Sequence, residues 1–73
     1  MIGSKKAEAV GRVLILSREL DTARGEYIKL QKILSSKIYF QKAGKWYYDV
    51  EKLSKKTIPE LNKISDKIKR AIK

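Results

Sequence analysis

Eight carboxylates are the first side chains to weigh as acid, base or hard-metal ligand, because the 73 residues contain neither cysteine nor histidine. A disulfide framework, a Cys/His zinc site and a histidine base are thereby excluded together. The carboxylates are committed elsewhere by their spacing. Glu8 and Arg12, Asp21 and Arg24, Glu26 and Lys29, Asp49 and Lys52, Glu51 and Lys55, Glu60 and Lys63, and Asp66 and Arg70 all stand three or four apart, as helix-surface ion pairs do. Glu19 alone lacks a base at that distance downstream. No two acids are left for an acid/base couple or an oxygen cage, so the expectation is a non-enzyme without metal or cofactor.

A different chemistry is concentrated in "IYFQKAGKWYY", residues 38–48, which holds five of the six aromatic residues interleaved with Lys42 and Lys45. Such a segment can stack nucleic-acid bases on its rings, or it can be the hydrophobic plug of a small domain. If Gly44 takes the left-handed position of a type I turn with a bulge, Gln41 faces Lys45 and the register follows. Phe40 then lies opposite Trp46, Ile38 opposite Tyr48, Tyr39 opposite Tyr47 and Lys37 opposite Asp49. One face becomes Ile38, Phe40, Trp46 and Tyr48, which the core needs at about 1.5–3 kcal/mol per buried large side chain. The other presents Tyr39 and Tyr47, flanked by Lys37 and Lys45, as the expected stacking pair.

Charge supplies a third feature. Eighteen lysines and arginines against eight acids leave a net +10, of which residues 37–73 carry eleven bases and four acids, or +7. That imbalance points to an anionic partner, with nucleic acid first and an acidic protein or membrane surface behind it. Lys63, Lys67 and Arg70 run along one flank of the last predicted helix and suit phosphate contacts that position without reading sequence. A lysine-rich amphipathic helix near Trp46 could lie on a membrane, but its modest apolar face argues against this.

These residues need elements to hold them. From Ser4 to Ser36 the apolar residues keep a helical period, and a heptad counted from Val13 takes in Leu16, Leu20, Ala23, Tyr27, Leu30 and Leu34. Gly11 and Gly25 fall opposite that seam. The aromatic segment sorts cleanly as a β-hairpin, although Leu34 to Ile38 and Trp46, Val50 and Leu53 also fit a helical period with Gly44 as a cap between two helices. The last helix carries a stripe of Ile58, Leu61, Ile64, Ile68 and Ile72. Its start is marked by "TIPE", where Thr57 and Glu60 have capping-box spacing and Pro59 suits a first turn, so a break is expected near residues 56–58. The predicted fold is mainly α: a long N-terminal helix, an aromatic hairpin and a C-terminal helix in a single domain spanning 1–73. So short a chain, without disulfide or metal, is expected to dimerise through the seam or the isoleucine stripe.

The stretch "ILSRELDTARGEYIKLQKIL" can be laid on a helix-turn-helix mask, with Leu16 and Leu20 as inner positions, Ser17 as the small residue and Asp21–Thr22 as the turn. Tyr27 and Leu30 then anchor a second helix presenting Arg24, Lys29 and Lys32. With the hairpin as a wing and Lys42 and Lys45 at its tip, residues 14–48 resemble a small winged-helix regulator. That resemblance implies DNA binding, with the final helix serving dimerisation. In two respects the mask is broken: Asp21 stands where the turn glycine belongs, and Thr22 where a hydrophobic residue belongs. The expected function is therefore a small, non-catalytic nucleic-acid-binding protein, on DNA more than RNA. A helical protein–protein adaptor with incidental charge is the alternative. The longest N-terminal apolar run, "VLIL" at 13–16, is too short for a signal or membrane span, and a cytoplasmic or other intracellular setting is expected.

Overall fold

The computed structural model describes residues 5–72 and has the predicted layout of a long N-terminal helix, a two-stranded antiparallel hairpin and a C-terminal helix. In chain order the elements are α1 (Lys5–Arg18), a π-helical turn (Glu19–Ala23), α2 (Tyr27–Leu34), β1 (Tyr39–Lys42), β2 (Lys45–Tyr48), α3 (Val50–Ser54) and α4 (Ile58–Ile72). The all-helical arrangement is thereby overturned for residues 39–48.

The heptad does not run through to Ser36 as one helix. After Arg18 the helix widens into the π turn, and Gly25 closes it at φ +69°, a conformation that costs glycine nothing. The Gly25 N–H reaches the Asp21 carbonyl at 2.6 Å and the Glu26 N–H reaches that of Leu20 at 3.1 Å, so the widened end keeps its backbone bonds. Widening a turn shifts the phase of everything beyond it. Ala23, a seam position in the heptad, is therefore exposed, while Asp21, outside the seam, is buried.

The core gathers Ala9, Val10 and Val13 of α1, Leu20, Leu30 and Leu34, Ile38 and Tyr39, and Leu53, Leu61 and Ile68. Helices α1 and α4 make the principal helix–helix contact, and α4 also meets α2 and the π turn. Val13, Leu20, Leu30, Leu61 and Ile68 are all 0 % exposed within the one chain. Within the one chain the seam is covered except at Ala23 and the isoleucine stripe except at Ile58, and the π turn interrupts the heptad between α1 and α2. Helix α4 supplies much of that cover by packing on α1.

The boundary signals hold at the end of the chain. Thr57 N–H donates to Glu60 Oε1 at 2.9 Å and Glu60 N–H to Thr57 Oγ1 at 3.3 Å, the reciprocal pair of a capping box. Asp49 caps α3 by accepting from Lys52 N–H at 3.0 Å. Of the seven expected helix-surface pairs, Glu26 with Lys29 at 3.2 Å and Asp49 with Lys52 at 3.8 Å are formed.

Candidate nucleic-acid interface

Hairpin register decides which rings are available. Tyr39 pairs with Tyr48, Phe40 with Tyr47, Gln41 with Trp46 and Lys42 with Lys45, leaving only Ala43 and Gly44 in the loop. Both loop residues have positive φ, +53° and +81°, as a type I′ turn requires. The sequence-based register placed one more residue in the loop. Because side chains alternate along a strand, that single step moves the β1 side chains to the other face while Trp46, Tyr47 and Tyr48 of β2 keep theirs.

Tyr39, expected on the exposed face, is therefore 0 % exposed, and Phe40, expected in the core, is half-buried on the outer face beside Tyr47. The inner face stacks into a column. Tyr27 from α2 lies on Trp46 (centroids 5.5 Å, planes 12° apart), Trp46 on Tyr39 (4.8 Å, 17°), and Tyr39 beside Tyr48 (4.9 Å, 41°). Four of the six aromatic residues are thus structural.

The column ends on the buried Asp21. Tyr39 donates to Asp21 Oδ2 at 2.7 Å and Tyr48 to the same oxygen at 2.6 Å, while Thr22 donates to Oδ1 through its N–H and, at 2.9 Å, through its hydroxyl. Burial by itself would raise the Asp21 pKa, but the bonds from Tyr48, Tyr39 and Thr22 together outweigh it and hold the group below its ordinary value of 3.8. The two phenols are pushed well above their ordinary 10, first by burial and then by the carboxylate they donate to. This constellation is what sequence reasoning missed: Asp21 was assigned to Arg24 by spacing. Asp21 stands outside the heptad seam, so spacing gave no sign of it; the one signal was that tyrosines need an acceptor when buried.

The outer face has a different composition. Phe40 and Tyr47 form a tilted pair (centroids 6.2 Å, planes 31° apart), with Tyr47 43 % exposed, and beside them Lys42 stands directly opposite Lys45. Neither lysine belongs to the two ion pairs found among the described residues. Val50 and Asp49 continue this surface, with Asp49 engaged by Lys52.

The other predicted contacts are dispersed. Arg24 is exposed at the turn, Lys29 and Lys32 are exposed on α2 with Lys29 paired to Glu26, and Lys63, Lys67 and Arg70 are exposed on the side of α4 opposite Leu61 and Ile68. Lys42, Lys45 and Tyr47 are brought together on one surface; Tyr39 is removed from it and Phe40 takes its place. Among the described residues no acidic cluster could hold a metal ion, and no helix is long and apolar enough to cross a membrane. Compared with protein-family models, curated proteins and solved structures, the chain matches none.

Proposed function

We propose that this protein is a small, non-catalytic nucleic-acid-binding protein that holds DNA through its phosphates. The observation that carries this reading is Lys42 opposite Lys45 at the hairpin tip. Like charges directly opposed on a sheet face are destabilising, and a polyanion is the partner that reverses that cost. The excess of ten positive charges supports it, as do the exposed Lys63, Lys67 and Arg70 on α4, which add phosphate-contacting groups that carry no base readout. DNA stands ahead of RNA because helix, turn, helix and hairpin follow in the order of the winged-helix resemblance, with the turn at 24–26 rather than 21–22.

A salt titration of duplex binding tests it. Log affinity is expected to fall linearly with log salt, at about 0.9 per phosphate neutralised. Lys42→Glu with Lys45→Glu weakens all sequences alike and flattens that slope; Lys63→Glu with Lys67→Glu does so if α4 shares the contact. Changing Arg24 or Lys29 alters preference between sequences only where α2 enters a groove. The adaptor reading is favoured by one observation, the exposure of Ile15 at 69 % and Ile28 at 58 % on the helices. Absence of binding to any nucleic acid at about 50 mM salt leaves that reading in place of ours.

A further inference from the structure

We infer that the outer hairpin face selects single strands over duplex, by stacking unpaired bases on Phe40 and Tyr47 while Lys42 and Lys45 hold the adjoining phosphates. The inference rests on the nucleic-acid reading above and adds the form of strand the site takes. Its basis is the division of the aromatic residues between the two faces. Tyr27, Trp46, Tyr39 and Tyr48 are used up in the inner column and its bonds to Asp21. Phe40 and Tyr47 contribute no hydrogen bond to that network and pair with each other across the strands.

A polar side chain at either position would satisfy a solvated strand, so two rings there leave apolar surface beside an unpaired cation pair. Each ring has a face for a base, and each lysine follows its ring on the same side of the strand: Phe40 with Lys42, Tyr47 with Lys45. The ring pair lies beside the lysine pair, so bases set on the rings bring their phosphates to the lysines. The spacing argues for a single strand in particular. The ring centroids lie 6.2 Å apart, whereas stacked bases in a duplex rise about 3.4 Å per step and have their faces covered by neighbours. Two side-by-side rings accept bases only from a strand free to splay them. Asp49, the one acid on this surface, is neutralised locally by Lys52 and by capping α3.

The test compares the full chain on a labelled oligo-dT strand of roughly 15 nucleotides with the same strand annealed to its complement, at about 50 mM salt. Tighter binding of the single strand is expected. Phe40→Leu and Tyr47→Leu should each weaken single-strand binding about tenfold while leaving duplex binding within about twofold, and Phe40→Tyr should retain it because a ring remains. Both substitutions lie on the outer face, and an unchanged Trp46 emission spectrum verifies that the inner column persists. Duplex bound as tightly as single strand, or ring variants that weaken both equally, would overturn the inference and leave phosphate binding standing. Loss of binding to both forms in the unaltered protein removes the underlying reading with it, and the face is then a protein-docking surface.

Discussion

At Asp21 a carboxylate that is only 4 % exposed accepts from Tyr39, Tyr48 and Thr22, and its protonation state is coupled to folding. Its pKa in the folded protein lies below 3.8, so the unfolded chain takes up a proton first as pH falls. The Asp21 contribution is thus present above the ordinary aspartate range and is lost as pH drops through the lower, folded value. For Tyr39 and Tyr48 the folded pKa is raised, so their contribution is complete below about pH 10 and is lost as pH rises beyond it. Asp21→Asn is expected to cost about 1–3 kcal/mol at neutral pH, because two buried phenols lose a charged acceptor. Urea melts across pH should show that the difference from the parent protein shrinks on the acid side. A constant difference down to about pH 2 would show that the carboxylate's charge is irrelevant.

At the scale of elements, the hairpin and the π turn settle one another. The two-residue loop forces Ala43 to φ +53°, which disfavours a residue bearing a Cβ, yet it is this loop that turns Tyr39 and Tyr48 toward Asp21. Ala43→Asn, which suits the first position of a type I′ turn followed by glycine, is expected to raise stability by about 0.5–1 kcal/mol, read as a higher melting temperature. Had the three-residue loop with its bulge been correct, position 43 would gain nothing from asparagine at positive φ. The capping box and the break before α4 were legible because both rest on contacts three residues apart. The register was not: its two candidates differ by one residue of loop, and what separates them is an acceptor 18 residues upstream of Tyr39.

Across the whole molecule, α4 covers most of the heptad seam within one chain. Leu20 is completely buried within the core cluster that includes Leu61 and Ile68 of α4, so Leu20→Lys should unfold the protein, at a cost above about 3 kcal/mol, rather than release a folded monomer. Sedimentation paired with far-UV circular dichroism distinguishes the outcomes. A helical chain of halved mass would restore the seam as an interface between copies.

Helix content, the position of the α4 cap, the solvated basic flank of α4 and the gathering of rings and lysines at 38–48 were all determined by the sequence alone. Each depends on residue type or on spacing within a turn or two. Only the tertiary structure decided which rings face out, that α4 covers most of the seam, and that Asp21 is a buried acceptor rather than a surface partner of Arg24. Those outcomes depend on contacts between residues distant in the chain, where a widened helical turn or one residue of loop moves a side chain from one face to the other. Phe40 shows the consequence most directly. Its hydrophobicity placed it in the core, and the hydrogen-bonding needs of Tyr39 and Tyr48 turned it outward beside Tyr47.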